Sequence, residues 1–393
     1  MLSNVSANMK VYEPFGLLNV EKPRGKTSFE VVGLLRKVLQ VKKVGHTGTL
    51  DPIASGVLLL CVGRATRLLD YLVDLPKSYL AWMKLGVTTD TLDSTGKVEQ
   101  IREVPEFAES DVEAVIDEFR GRIKQVPPMF SAVKRDGKKL YVLAREGVQA
   151  DVEPRDVTVH DLGMLSLSRS TVTLKITCSK GTYIRALCAD IGERLGCGAH
   201  LFRLQRTNIG RWDVSDSIPF SDILALSRTE VAGMLAPIEG ILPDYAQGEV
   251  SPLAEHYATN GLSIDIDQIR LSRELSIGDP VILRTWRGKL IGVFRTEAPS
   301  PEDLKRRPSL PMVVKPEKIL LTSSPPKQYP PPRKAGRDAS RPRPPYDKRR
   351  GPGGGKRPGG SYGRGPSRRT SRSTGDRGDR FNRLQPPDPG ADS

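Results

Sequence analysis

The chain has 393 residues and a formal net charge of +15, from 61 Lys or Arg against 46 Asp or Glu. Its longest apolar run, residues 57–62, is too short for a membrane helix, and residues 1–14 lack the apolar stretch of a secretion signal. Four cysteines without a C-x-x-C pair disfavour a disulfide scaffold and a Cys/His zinc site, so we expect a soluble cytoplasmic protein whose partner is a polyanion.

Periodicity predicts a mixture of helices and strands in the first half of a chain that is long enough for two or three domains. The T-x-x-E sequence at 27–30 is a capping box that opens a helix, and the apolar run 57–62 suits a buried strand. Alternation over 79–87 predicts one continuous half-buried strand. A second S-x-x-E sequence at 110–113 predicts the start of another helix.

The same reasoning predicts a strand-to-helix junction further along the chain. Alternating apolar residues at 172–178 indicate a half-buried strand, and the apolar spacing over 184–195 indicates a helix that Gly196 ends. Residues 179–183 form the turn between them. Functional side chains are often found at such junctions, because rigid elements on both sides hold them in place.

The character of the sequence changes after about residue 248. Two β-rich runs, 278–284 and 290–294, are joined by a hairpin sequence, and a third run follows at 312–314. They predict a small all-β module of about 70 residues. Before it, residues 219–242 are loosely helical, and we expect them to pack on the larger domain.

The densest group of chemistry-bearing residues is the segment 45–52 (GHTGTLDP), which continues at 54–58 (ASGVL). Pro52 keeps the preceding Asp51 out of the helical region, so its carboxylate lies on an extended or turn segment. Taken alone, an Asp-Pro pair among glycines is usually an ordinary turn. The chain also lacks the glycine-rich phosphate-binding loops of nucleotide enzymes.

The segment 45–58 closely resembles the GHTGxLDPxAxGxL signature of the TruB family of tRNA pseudouridine synthases. Further family motifs follow in the expected order, from about residue 15 to residue 211. They are 19–28 (NVEKPRGKTS), 77–79 (KSY), 86–96 (GVTTDTLDSTG), 127–134 with 137–141 (PPMFSAVK and GKKLY) and 180–185 (KGTYIR). The carboxy-terminal module resembles the PUA domain that often follows this family's core.

The resemblance implies an α+β fold in which a mixed, mainly antiparallel sheet forms a catalytic domain of the pseudouridine synthase type. A small β-rich PUA-like RNA-binding domain and a disordered tail are expected to follow. The boundaries that it implies are a flexible amino terminus at 1–13, the catalytic domain at 14–247 with a thumb-like insertion at about 124–152, the PUA-like domain at 248–322 and the tail at 323–393.

The implied reaction converts the uridine at position 55 in the T-loop of tRNA to pseudouridine without a cofactor or metal. It breaks the N1–C1′ glycosidic bond, turns the uracil and rejoins it through C5. By resemblance Asp51 is the catalytic carboxylate at the ribose, either attacking C1′ or removing a sugar proton. Arg185 is its cationic partner, although it could be an ordinary surface arginine. Tyr183 lies beside the carboxylate and shuttles a proton.

Four further residues are implied to bind the substrate. Tyr79 stacks on the flipped uracil, Leu204 forms an apolar wall beside it, and His46 inserts into the RNA loop. Lys22 positions its own loop or a phosphate. Two of these residues have structural alternatives, because Tyr79 begins an alternating strand and a lone histidine is more often structural than functional.

The expected partner is the T-arm of tRNA, with no membrane and no obligate protein partner, so the protein would act as a monomer. The main alternative is a non-catalytic RNA-binding or tRNA-folding factor that uses the same cleft. A sugar hydrolase fits less well, because one well-placed carboxylate is evident where two are usual.

Two positions depart from the family pattern. Glu21 stands before Lys22 where aspartate is commoner, and Gln205 replaces the first arginine of the usual Leu-Arg-Arg-Thr. The replacement at Gln205 puts in doubt the contact that an arginine would make there.

The tail, residues 323–393, is not part of the family core. It contains 18 Lys or Arg against 6 Asp, 14 Pro and 12 Gly, and it leaves the first 322 residues a net charge of only +3. This composition predicts disorder. Its Arg-Gly pairs and interspersed tyrosines resemble sequence-tolerant RNA-binding arms, and the alternative is a solvated tail that binds nothing in particular.

Overall fold

The fold is that of a computed structural model, which describes residues 13–135, 137–148, 150–237, 241–242 and 244–321. The predictions of a flexible amino terminus at 1–13 and of a disordered tail at 323–393 fall, except for residue 13, outside the described residues. In the described ranges, no helix combines the length and the apolar character that crossing a membrane requires.

The part of the chain before residue 220 supplies most of the strands. They are β1 (Gly16–Lys22), β2 (Val44–His46), β3 (Ala54–Val62), β4 (Lys77–Leu85), β5 (Val87–Thr89), β6 (Val98–Ile101), β7 (Gly121–Gln125), β8 (Lys134–Arg135), β9 (Lys138–Lys139), β10 (Arg155–Ser168), β11 (Thr171–Cys178), β12 (Ala199–Ile209), β13 (Trp212–Asp213) and β14 (Ile218–Pro219). The helices that accompany them are α1 (Ser28–Leu39), α2 (Leu69–Val73), α3 (Glu109–Asp117), α4 (Leu140–Arg145), α5 (Ile184–Arg194), α6 (Phe220–Ala225) and α7 (Arg228–Gly233).

Ten of these strands form one mixed sheet with the order β14-β1-β3-β12-β4-β11-β10-β7, in which β2 also pairs with β3 and β13 with β12. The pairs β1–β14 and β3–β12 are parallel, and the others are antiparallel. The prediction of a mixed, mainly antiparallel sheet is confirmed. In β4 and β11, alternate residues are buried against α3 and α5, which explains their period of two.

The predicted strand over 79–87 is broken in the structure. Gly86 has a φ of +81°, a left-handed conformation that favours glycine, and it separates β4 from the short β5. The helix predicted from 110–113 is present, but Ser110 is not its cap, because the helix begins at Glu109. The helix α3 follows Ala108, whose N–H is accepted by the carboxylate of Asp111 at 3.0 Å; this is the reverse half of a capping box, and Ala108 has no side-chain acceptor for the other half.

Other predicted elements are confirmed. Thr27 and Glu30 form the capping box of α1, and Gly196 follows α5 with a φ of +83°. The loosely helical stretch at 219–242 contains α6 and α7, which share an apolar cluster with α1 and with one face of β1 and β3.

The carboxy-terminal part forms a second, six-stranded sheet with its own apolar cluster. Its strands are β15 (Ala246–Val250), β16 (Ile264–Asp265), β17 (Ile269–Leu271), β18 (Pro280–Arg284), β19 (Leu290–Glu297) and β20 (Val313–Ile319). Gly288, with a φ of +76°, lies in the predicted hairpin between β18 and β19. The module is β-rich but not all-β, because α8 (Pro252–Thr259) and α9 (Pro301–Arg306) belong to it.

Residues of both sheets meet in one apolar cluster. Leu17, Val57 and Leu59 from β1 and β3 pack with Ile282 and Val293 from the second sheet. Polar contacts flank this cluster, including the hydroxyl of Tyr71, which donates to Glu317 at 2.7 Å, and Lys318, which pairs with Asp70 at 2.7 Å.

Candidate active site

The loop between β2 and β3 brings Asp51 to the edge of the main sheet. The Asp51 carbonyl accepts the N–H of Ala54 at 3.0 Å, which turns the chain into β3, and the Pro52 carbonyl accepts the N–H of Gly25 at 2.7 Å. The Asp51 side chain is 37% exposed. Its carboxylate is therefore fixed by its backbone at a position that solvent and a ligand can reach.

Arg185, in the first turn of α5, forms a hydrogen-bonded ion pair with this carboxylate on the side that faces the protein interior. Its side chain is 5% exposed, and its Nε donates to Asp51 Oδ2 at 2.9 Å. Its Nη1 and Nη2 donate to the carbonyls of Thr91 and Phe130, both at 2.9 Å. Because every guanidinium nitrogen has an acceptor, the plane of the group is fixed, and its charge lies directly behind Asp51.

A second carboxylate, that of Asp93, also faces this guanidinium. Asp93 Oδ2 lies 3.7 Å from Arg185 Nε, and its side chain is 6% exposed. Its other oxygen accepts from the Thr91 hydroxyl at 2.8 Å and from the Thr95 N–H at 2.9 Å. The family motif at 86–96 was not predicted to contribute a site residue; the second aspartate of its TDTxD pattern, Asp93, was the available signal.

Tyr79 lies on β4 inside the apolar cluster that also contains Leu50, Ala54 and Leu204. Burial raises the pKa of its hydroxyl, which is hydrogen-bonded to Arg206. Leu204 is 5% exposed and lies opposite Ala54 in the parallel pair of β12 with β3. The two predicted uracil contacts are thus side by side, next to the loop that carries Asp51.

Arg206 connects β12 to this loop by hydrogen bonds in the protein interior. Its side chain is fully buried, its Nε donates to the Val57 carbonyl at 2.7 Å, and its Nη2 donates to the Gly48 carbonyl at 3.1 Å. A Cβ at Gly56, whose φ is +99°, would lie 2.1 Å from the Arg206 carbonyl oxygen, so glycine is required there. Sequence reasoning gave Arg206 no role.

The departure at Gln205 lies outside this cluster. Gln205 is half-buried and adjacent to Arg206 on β12, so the two side chains point to opposite faces of the sheet. The arginine that the chain retains is therefore the one that reaches Tyr79 and the Asp51 loop.

His46 and Lys22 are on the two segments that flank the Asp51 loop. His46 is half-buried, its Nδ1 accepts the N–H of Gly48 at 3.3 Å, and burial together with the Arg206 charge lowers its pKa. Lys22 is fully buried, and its Nζ donates to the carbonyls of Pro23 at 2.9 Å and Lys26 at 2.6 Å. These contacts fit a lysine that orders its own loop.

The pKa of Lys22 predicts a pH dependence of stability. Burial lowers it to about 8, and the Asp51 charge opposes part of this shift. Between about pH 8 and the ordinary value near 10.4, the unfolded chain binds more protons than the folded one, so this residue makes the free energy of unfolding rise with pH.

We expect the free energy of unfolding of the wild type, relative to that of Lys22→Met, to rise by about 1–3 kcal/mol between about pH 7.5 and about pH 10. Denaturant unfolding measures this difference. The matched control is Lys175→Met, at an exposed lysine on β11. Its free energy of unfolding should change with pH as that of the wild type does. A difference between wild type and Lys22→Met that stays constant with pH would contradict the expectation.

Tyr183 is the residue immediately before α5, two positions from Arg185, and it is half-buried. Its described hydrogen bonds go through its backbone. The Gln125 carboxamide accepts its N–H at 2.8 Å and donates to its carbonyl at 3.0 Å, and the same carbonyl accepts the N–H of Leu187 at 3.0 Å. Sequence reasoning missed Gln125, because the chain shows no local pattern that links it to residue 183.

The cluster as a whole presents one partly exposed carboxylate against a fixed cation, beside a tyrosine and a leucine wall. Such an arrangement can place negative charge at the sugar of a flat, uncharged base. Among the described residues, no group of three or more His, Cys, Asp or Glu side chains is placed to hold a metal ion.

Two family models match the chain in succession. Residues 36–184 match the family described as TruB family pseudouridylate synthase (N terminal domain). Residues 185–243 match the one described as tRNA pseudouridylate synthase B C-terminal domain. Together they include the Asp51 loop, β4, α5 and β12.

Curated relatives agree with these matches. A tRNA pseudouridine synthase B from Clostridium tetani is 39% identical over 71% of this chain and 94% of the relative. The proteins of the same name from Clostridium kluyveri and Pseudomonas fluorescens are 43% and 44% identical, over 66% and 63% of this chain and 88% and 82% of theirs.

Two solved structures have a similar fold. One is described as a Cbf5-Nop10-Gar1 complex, with a TM-score of 0.56 at 27% identity over 79% of this chain and 86% of that chain. The other is described as an H/ACA RNP bound to a substrate RNA containing 2′-deoxyuridine, with a TM-score of 0.57 at 26% identity over 80% and 87%. The predicted fold class, a synthase-type sheet followed by a PUA-like domain, is confirmed. The chain belongs to the TruB family of tRNA pseudouridine synthases, isomerases that convert uridine to pseudouridine in tRNA.

Proposed function

We propose that the protein isomerises the uridine at position 55 in the T-loop of tRNA. One observation carries the proposal: the Asp51 carboxylate is held 2.9 Å from the buried guanidinium of Arg185, at the edge of a cluster formed by Tyr79 and Leu204. The carboxylate that the reaction needs is therefore hydrogen-bonded to a buried cation, accessible to solvent and adjacent to an apolar surface that suits a base.

In the proposed reaction, Asp51 acts at the ribose of a uridine that has left the RNA stack. It either attacks C1′ or removes a proton from the sugar, and the N1–C1′ bond breaks. The uracil turns and its C5 forms the new bond to C1′, while the Asp51–C1′ bond breaks in the first route or Asp51 returns the proton to the sugar in the second. C5 then gives up a proton, and N1 gains one. Substrate and product have the same atoms and the same oxidation state, so the balance requires no redox or group-transfer partner.

The other residues would bind and orient the substrate. Tyr79 would stack on the flipped uracil and Leu204 would form an apolar wall beside it, so that the buried cluster favours a flat, uncharged ring over water. His46, neutral because its pKa is lowered, would insert into the RNA loop without the cost of burying a charge. Tyr183 would carry the proton between C5 and N1.

The proposal extends to the organisation of the whole protein. We assign residues 14–247 to the catalytic domain, about 124–152 to a thumb that grips the RNA, and 248–322 to a PUA-like domain that binds the tRNA further from the T-loop. We also propose a monomer that works in the cytoplasm, where its tRNA substrate is found.

Site-resolved pseudouridine mapping tests the function directly. Purified protein is incubated with unmodified tRNA transcripts, and we expect one new pseudouridine at position 55. The same mapping after mutation of uridine 55 to cytidine is the control and should show none. Binding of the T-arm without any pseudouridine would instead support a non-catalytic RNA-folding factor.

The basic tail predicts a salt-dependent contribution to RNA binding. Deleting residues 323–393 removes a net charge of +12. We expect RNA affinity at low salt to fall about tenfold, and the slope of log affinity against log salt to become shallower by about 2 or more, because fewer counterions are released. Filter binding across a salt series measures both quantities.

The control is a tail of equal length with its arginines replaced by glutamine, which should behave like the deletion. Unchanged salt slopes in both variants would make the tail a solubilising segment.

A further inference from the structure

The first turn of α5 lacks the usual means of fixing a helix start. Helices commonly begin with Ser, Thr, Asp or Asn, whose side chain accepts a free N–H of the first turn. Here the residue before the helix is Tyr183, which has an extended backbone and makes no side-chain capping bond. Yet this turn carries Arg185, whose guanidinium must be placed within hydrogen-bonding distance of Asp51.

Gln125, the last residue of β7, supplies the missing restraint from another part of the sheet. It is 2% exposed, its Oε1 accepts the N–H of Tyr183 at 2.8 Å, and its Nε2 donates to the carbonyl of Tyr183 at 3.0 Å. One carboxamide thus binds both backbone groups of one residue, as a neighbouring strand would. This double contact fixes the peptide planes on both sides of the Tyr183 Cα.

The same segment holds Arg185 a second time, five residues later. The chain leaves β7 at Gln125 and reaches Phe130, whose carbonyl accepts from Arg185 Nη2 at 2.9 Å. This whole segment lies at the start of the predicted thumb, about 124–152. The position of the guanidinium therefore depends on this segment at two points. Gln125 binds the backbone just before α5, and the Phe130 carbonyl accepts from the guanidinium itself.

We propose that Gln125 is a positioning residue for the reaction. By binding both the N–H and the carbonyl of Tyr183, it fixes the orientation of the first turn of α5 and hence the contact of Arg185 with Asp51. The inference rests on the proposed function. Gln125 touches neither Asp51 nor the substrate cleft in the described contacts, so its effect is on the rate of the chemical step and not on RNA binding.

The first test replaces the carboxamide with an apolar side chain. Gln125→Leu should lower the single-turnover rate on a T-arm hairpin about 10²-fold, the size of effect that a misplacement of about 1 Å produces. The Kd for the hairpin should stay within about twofold of the wild type. The matched control is Gln100→Leu on β6, an exposed glutamine whose carboxamide binds Arg102 and which should keep the wild-type rate.

The second test separates positioning from packing through pH. In Gln125→Glu, an ionised carboxylate can still accept the Tyr183 N–H, but its other oxygen faces the Tyr183 carbonyl and repels it. Once protonated, the acid donates to that carbonyl, and burial moves its pKa towards the neutral range. The rate of Gln125→Glu relative to wild type should therefore rise at least about fivefold between about pH 8 and about pH 6.

The outcomes are distinguishable. An inactive wild type would refute the proposed function itself. An active wild type with an equally active Gln125→Leu would refute the positioning role alone. A Gln125→Glu rate ratio that does not change with pH, together with rate losses that only follow lowered melting temperatures, would reduce Gln125 to a packing residue and overturn the inference.

Discussion

Replacing Asp51 with asparagine should abolish turnover and leave RNA affinity almost unchanged. The carboxamide has the same shape, but it has no negative charge and no oxygen able to attack C1′ or remove a sugar proton. We expect the single-turnover rate on a T-arm hairpin to fall by about 10⁴-fold or more. The Kd from filter binding should stay within about threefold, since one partly exposed side chain contributes little to an RNA interface dominated by phosphate contacts.

The variant should keep its fold. Arg185 keeps its bonds to the carbonyls of Thr91 and Phe130, and the amide oxygen of the new residue can accept from its Nε. The control is Asp161→Asn, an exposed carboxylate on β10. Wild-type pseudouridine formation by Asp51→Asn would remove Asp51 from the chemistry, and an equal loss of rate and affinity would make it a binding residue.

The elements that the sequence predicts well are those in which one face is buried. In β11, Val172, Leu174 and Ile176 are all fully buried and alternate with Thr and Lys, because a helix covers one side of the sheet and not the other. The break at Gly86 was missed because the apolar alternation continues through it, and the glycine itself was the available signal. What ends the strand is a backbone conformation, which leaves no trace in the pattern of hydrophobic residues.

At the candidate site, likewise, short motifs predict some of the residues but not the contacts between residues that are distant in the sequence. Motifs identify Asp51 and Arg185, since each lies in a short run of characteristic residues. They do not identify the partners of Arg185, because two of these are backbone carbonyls, at Thr91 and Phe130. Any residue type has a carbonyl, so only the folded chain shows which ones the guanidinium meets. Gln125 was missed for a related reason, because its target is the backbone of a residue 58 positions away.

Arg185→Lys should be almost as damaging to activity as loss of the carboxylate, although it keeps the charge. A lysine ammonium is a compact charge that cannot reach Asp51 and the carbonyls of Thr91 and Phe130 at once. We expect the single-turnover rate to fall about 10²- to 10³-fold, because the Asp51 oxygen loses its fixed hydrogen-bond donor. The free energy of unfolding should fall by about 2–4 kcal/mol, because buried carbonyls lose their donor.

The control for this prediction lies on the same helix. Arg194, near the end of α5, is exposed and forms a bidentate pair with Glu118, with distances of 2.7 and 3.0 Å. Arg194→Lys should leave both the rate and the free energy of unfolding close to the wild-type values, because solvent screens a surface pair. Arg185→Leu should destabilise the fold more than Arg185→Lys, since Asp93 is then buried without a cation. If Arg185→Lys retained both the wild-type rate and the wild-type stability, a positive charge alone would suffice behind Asp51, and the fixed geometry of the guanidinium would have no part in catalysis.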